Sequence, residues 1–149
     1  MTGSSGFFVN IGDEVTFSKT VGESDIYLFA GITGDLSPNH VNHQYMKKSK
    51  FGRRIAHGAL MVGFMSTTST MMIDKTYDPD WGATAVSLGY DGIRFVGPVF
   101  INDTITVTYR ISAIDPERNR SISDITIVNQ DGDTVAVGKH ILKWVPDPA

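Results

Sequence analysis

The run Gly58-Ala59-Leu60-Met61-Val62-Gly63-Phe64-Met65-Ser66-Thr67-Thr68-Ser69-Thr70-Met71-Met72-Ile73 decides the fold. It carries no charge, no proline and few β-branched apolar residues, so the sequence reads as a helix of about 24 Å at 1.5 Å rise per residue. Leu60, Met61, Phe64, Met65, Thr68, Met71 and Met72 are apolar or nearly so on several sides. A helix apolar nearly all round is expected to be buried.

The segments after it are of another kind. In Thr104–Ser112, Ile105, Val107, Tyr109 and Ile111 alternate with Thr104, Thr106, Thr108, Arg110 and Ser112. That period of two predicts a strand with one buried face. Thr84–Val96, Ser121–Asn129 and Thr134–Val145 read as further strands. Gly97-Pro98 breaks the first, Val99–Ile101 resumes it, Asp131-Gly132 marks a hairpin turn, and Pro146 stops the last. No helices separate the later strands, so a parallel doubly wound sheet is excluded. An antiparallel sheet wrapped around one buried helix, an α+β architecture, satisfies the order.

The segments before the long helix are shorter. Phe7–Lys19 reads as an opening strand interrupted at Gly12-Asp13, and Ser24 as the cap of a helix over Asp25–Ile32 with Ile26, Phe29 and Ala30 on its buried stripe. Gly34 ends that helix. Pro38 disfavours helical backbone at Ser37, so Asp35–His40 is expected to be irregular. Asn42 caps a short helix through Lys48.

A chain of 149 residues is expected to be one domain, with residues 1–6 frayed. The net charge of −3 and the lack of any long basic run argue against nucleic acid as a partner. The sequence contains no cysteine, which excludes disulfides, thiolate metal sites and a cysteine nucleophile. The first residues lack the charged head and apolar core of a signal peptide, and no stretch reaches the ~18–20 apolar residues of a membrane span. The expected setting is the cytoplasm.

The chemistry-bearing residues cluster before the long helix. Asp35 and His40 put a carboxylate and an imidazole in one Gly- and Pro-marked loop. Such a pair can share one water, deprotonating it and returning a proton. The competing reading makes Asp35 a turn cap and His40 a loop histidine. Gly58 opens the long helix, where its unpaired N–H can bond a thioester oxygen that gains enolate character, the competing reading being a plain turn-to-helix glycine. His57 can orient the loop or pack. Ser66, two turns on, could hold Asp35 or bond its own backbone. Lys47, Lys48, Lys50, Arg53 and Arg54 could meet coenzyme A phosphates or simply form a solvated face. His43 and His140 have no partner at metal-ligand spacing, and no metal is expected.

These residues resemble the MaoC-like hydratases, the (R)-specific enoyl-CoA hydratases. Phe29, Ile32, Thr33, Gly34, Asp35, Pro38 and His40 match that family's signature, and Phe51, Arg53, Ile55, His57 and Gly58 match its run into the central helix. The resemblance covers about Phe8–Val145. It implies a hot-dog fold and a homodimer. It also implies reversible addition of water to a trans-2-enoyl-CoA without metal or other cofactor. Asp35 and His40 would activate water, Gly58 would bind the oxyanion and Ser66 would support them. Ser37 stands where the family has Asn, and Asn39 where it has an aliphatic residue, which bears on the choice of acyl group. A hot-dog thioesterase and a non-catalytic acyl-CoA-binding or partner subunit are the alternative functions.

Overall fold

The computed structural model describes residues 6–148. The expected frayed stretch 1–6 lies outside the described residues except for Gly6. The elements are β1 (Glu14–Thr20), α1 (Glu23–Thr33), α2 (Pro38–Val41), α3 (His43–Met46), α4 (Gly58–Thr76), β2 (Ala83–Phe95), β3 (Thr104–Asp115), β4 (Arg120–Val128) and β5 (Thr134–Pro146). The five strands form one antiparallel sheet in the order β1-β3-β4-β5-β2. It curls around α4, the hot-dog arrangement.

Side-chain alternation fixes the register. Ile105, Val107, Tyr109 and Ile111 of β3 are fully buried, as their period of two requires. Each such aliphatic side chain removed from water contributes about 1.5–3 kcal/mol. Met61, Phe64, Met65, Thr68, Ser69 and Met72 of α4 meet this face. Their spacing of three and four makes one stripe, not an all-round buried surface. Ala59, Gly63, Ser66 and Thr70 on the opposite face are exposed, so the expectation of a helix buried on all sides is corrected.

Other boundaries also differ from the sequence reading. Residues 7–13 are not strand. Phe7 and Phe8 turn onto Trp144 instead, and Phe8 stacks on its indole at 4.8 Å. Aromatic burial at one end of the sheet outweighs one more strand turn. The cap of α1 is Gly22, not Ser24, because Asp25 sits where its carboxylate accepts the Gly22 N–H at 2.8 Å. Val99–Ile101 forms only one bridge, Ile55 to Phe100. Asn42 does cap α3, accepting the Tyr45 N–H at 2.9 Å, though that helix ends at Met46.

The sheet interior is not wholly apolar. His140 of β5 is fully buried and neutral, its pKa pushed down to about 4 by desolvation. It bonds the Tyr109 hydroxyl at 2.8 Å and Ser87 at 2.7 Å, and Tyr90 stacks on its ring. Burial also raises the Tyr109 pKa to about 12. No helix among the described residues is long and apolar enough to cross a membrane.

Candidate active site

Three short segments meet at the N-terminus of α4. The first is the end of α1. Gly34 takes the left-handed conformation (φ 80°) and its N–H bonds Ala30 O at 2.9 Å, which turns the chain sharply outward. Thr33 Oγ accepts the Asp35 N–H at 3.2 Å, and the Asp35 carboxylate accepts the Ser37 N–H at 3.3 Å. Asp35 is therefore held by its backbone with its carboxylate in solvent.

The second segment is α2. Ser37 is extended, as Pro38 demands, but Pro38 itself begins a single helical turn that carries His40. Proline at the first helical position has no N–H to lose and its φ is already set. The expectation that the whole loop through His40 is irregular is corrected on this point. The turn is tied to the third segment twice. Ile55 N–H bonds Asn39 O at 3.1 Å, and His40 Nδ1 bonds Ile55 O at 2.7 Å. A carbonyl only accepts, so Nδ1 is the donor, and in the neutral tautomer this fixes, Nε2 is the acceptor.

The third segment, Ile55-Ala56-His57, runs beside Val99 and Phe100 and delivers Gly58 to the start of α4. His57 caps the helix without a side-chain bond, and no protein acceptor meets the Gly58 N–H among the described residues. Four peptide N–H groups at a helix start lack intrahelical partners and carry the positive end of its dipole. His40 and Gly58 both face a cavity of about 360 Å³ whose other walls are mostly apolar, among them Phe51, Ile55, Phe95, Val96 and Val99. His40 and the first residue of α4 thus share one largely apolar pocket.

Other candidates fall elsewhere. Ser66 makes no hydrogen bond to Asp35. It lies about 12 Å along the helix axis from Gly58 and neighbours Tyr90, where its hydroxyl opposes the upward push of burial on the phenol. Arg54 is paired with Glu23 and bonds Tyr27 at 2.8 Å, so both terminal nitrogens of its guanidinium are engaged within the fold. Arg53 lies 3.8 Å over the Phe100 ring and borders a second cavity with Asp103, Asp131 and Asp133, whose charge repels phosphate. Lys47 and Lys48 are exposed. Asn39 is exposed, so its polar side chain meets water, not an apolar wall.

Donor atoms of Asp35, His40 and His57 lie within 4.8 Å of one another. The His40 and His57 rings are stacked, 3.7 Å apart and inclined by 28°. Imidazole lone pairs lie in the ring plane, so stacked rings do not converge on one ion at the ~2.0–2.1 Å a zinc–nitrogen bond needs. The geometry suits paired rings better than a metal centre.

The MaoC like domain profile matches residues 7–131. This chain belongs to the MaoC-like family. It is 40% identical over 107 residues to an (R)-specific enoyl-CoA hydratase of Rhodospirillum rubrum, covering 72% of this chain and 69% of that protein. It is 31% identical over 138 residues to a 3-hydroxybutyryl-CoA dehydratase of Methylorubrum extorquens, covering 93% and 82%. Among solved structures, the R-hydratase PhaJ1 of Pseudomonas aeruginosa in the unliganded form superposes with a TM-score of 0.75 at 28% identity, covering 94% of this chain and 84% of that one. Phe51 and Ile55 in the wall of this MaoC-like pocket belong to the run that the sequence reading singled out, whereas Phe95 and Val96 escaped it. Phe95 and Val96 lie at the end of β2 and only the sheet's curl brings them to Gly58. Their exposure, 52% and 58%, is the signal that they are not core.

Proposed function

We propose that this chain is an (R)-specific enoyl-CoA hydratase, running in reverse as a 3-hydroxyacyl-CoA dehydratase. The observation that carries the reading is that His40, its Nδ1 engaged by the Ile55 carbonyl, lines the same cavity as Gly58 at the start of α4. The family and its hydratase relatives supply the substrate class.

The Asp35 carboxylate and His40 Nε2 hold one water. As its oxygen bonds C3 of the enoyl thioester, a proton passes to the pair. The C2–C3 π electrons move onto the thioester oxygen, and the Gly58 N–H and the α4 dipole stabilise that enolate. The enolate then collapses and C2 takes a proton from the pair. Water is added across the double bond with nothing oxidised or reduced, so the reaction needs no redox cofactor, and the Asp35–His40 pair supplies the water activation in this reading.

The whole chain is one domain in this reading. Two features support a homodimer. Among the described residues the outer edge of β2 has no partner strand, with Leu88 half exposed, and the Ala59, Gly63, Ser66 and Thr70 face of α4 is uncovered. Coenzyme A thioesters are metabolites of the cell interior, which supports a cytoplasmic location.

The test is loss of enoyl-thioester absorbance across crotonyl-CoA and longer, branched and carboxylated enoyl-CoAs. Turnover by the wild type and its loss in Asp35→Asn support the proposal. Release of free thiol without hydration would make the chain a thioesterase. Binding without turnover of any member would make it a partner subunit.

A further inference from the structure

His57 has no task in the reaction just described, yet its environment is unusual. It is 1% exposed, and its Nε2 lies 3.0 Å from the backbone oxygen of Asp35. Because that oxygen can only accept, Nε2 carries the proton and Nδ1 holds a lone pair. Nδ1 is buried with no partner among the described residues. The same ring covers a face of His40 at 3.7 Å and touches Phe29 at 4.7 Å. One side chain therefore grips the backbone of Asp35 and lies flat on His40.

Packing alone does not explain this residue. Phenylalanine would fill the slot and stack on His40 without burying an orphaned acceptor, which is costly to fold. What it lacks is the N–H that holds the Asp35 carbonyl. Glutamine carries such a donor but no flat face. Histidine combines both.

We infer that His57, as its neutral Nε2–H tautomer, is a positioning residue that fixes the Asp35 carboxylate relative to the His40 ring. The inference rests on the hydratase reading of this site. His57 does not line the cavity that His40 and Gly58 share. It acts because Asp35 otherwise sits in an exposed loop, held only by two long bonds, its N–H to Thr33 at 3.2 Å and its carboxylate from the Ser37 N–H at 3.3 Å. A shift of about 1 Å in a reacting group costs up to 10²-fold in rate.

The experiment compares His57→Phe and His57→Gln with the wild type in crotonyl-CoA hydration, with circular dichroism and melting as checks on folding. The Gln side-chain nitrogen reaches about as far as histidine Nε2. We expect kcat to fall about 10–100-fold in His57→Phe, with KM within about twofold, and to recover at least several-fold in His57→Gln. Equal kcat in the two variants, a His57→Phe enzyme within twofold of wild type, or a loss confined to KM overturns the inference. Where His57→Phe does not fold, His57→Met against His57→Gln makes the same comparison at matched length. Long-range proton–nitrogen NMR of the histidine rings reads the arrangement without turnover. The Nε2–H form of His57, with His40 signals displaced more in His57→Phe than in His57→Gln, supports it. The Nδ1–H form overturns it. A wild type inactive on every enoyl-CoA would sink the hydratase reading while those spectra still decide the role of His57.

Discussion

The ring of Phe95 lies against the α-carbon of Gly58. A methyl group built on Gly58 would stand 2.5 Å from the Phe95 Cδ2 and within 2.8 Å of two more ring atoms. The backbone at Gly58 is helical, so no unusual φ demands glycine there. It is the close approach of this ring, at the mouth of the cavity that holds His40, that leaves no room for a side chain.

Gly58→Ala should therefore displace Phe95 into the cavity or tilt the first turn of α4. We expect kcat/KM for crotonyl-CoA to drop about 10–100-fold with the fold retained. Adding Phe95→Ala should return much of that loss, because the methyl then has space. Double-mutant kinetics check this, and simple additivity of the two effects would show that the contact is not what glycine serves.

Asp35→Asn and His40→Ala should each lower kcat by about 10²–10⁴. Asp35 is exposed and His40 is half-buried on a short turn, so neither side chain supports the core. Melting temperatures within a few degrees of wild type should accompany the lost activity. Near-wild-type turnover in either variant would remove the pair from the mechanism.

Much of this architecture can be read directly in the residues. The alternation of Thr104–Ser112 places every inward residue of β3 correctly, and the helix at Gly58 begins where the sequence predicts. Short local turns bring Asp35 and His40 to His57, the residue before Gly58, and put His40 and Gly58 on one cavity. What cannot be read is whatever depends on distant chain returning. Phe95 reaches Gly58 through the curl of β2, and Arg54 looks like a free cation until Glu23 and Tyr27 are seen beside it. His140 shows no partner at metal-ligand spacing in the sequence, whereas in the sheet it has Tyr109 and Ser87.

The basic residues ahead of α4 should separate into two groups. Arg54→Met removes the partner of Glu23 and the bond to Tyr27, so it should lower the melting temperature and leave KM for acyl-CoA little changed. Lys47→Glu with Lys48→Glu should leave the melting temperature unchanged, as both are exposed. If these lysines meet the coenzyme A phosphates, KM rises several-fold and the effect shrinks with added salt. A KM unaffected by that double change would place the nucleotide elsewhere.

Acid should destabilise this fold through His140. Its pKa is near 4 in the folded chain and about 6.5 when unfolded. Between those values the unfolded chain binds more protons, so stability rises with pH there and is lost as pH falls from about 6.5 towards 4. The slope from this one group is at most about 1.4 kcal/mol per pH unit. His140→Gln keeps a donor and an acceptor for Tyr109 and Ser87 but cannot titrate. Denaturant melts at pH 7.5, 6, 5 and 4.5 should show the wild type losing stability more steeply than His140→Gln. Parallel curves would mean that His140 contributes nothing to the acid sensitivity, whatever its burial.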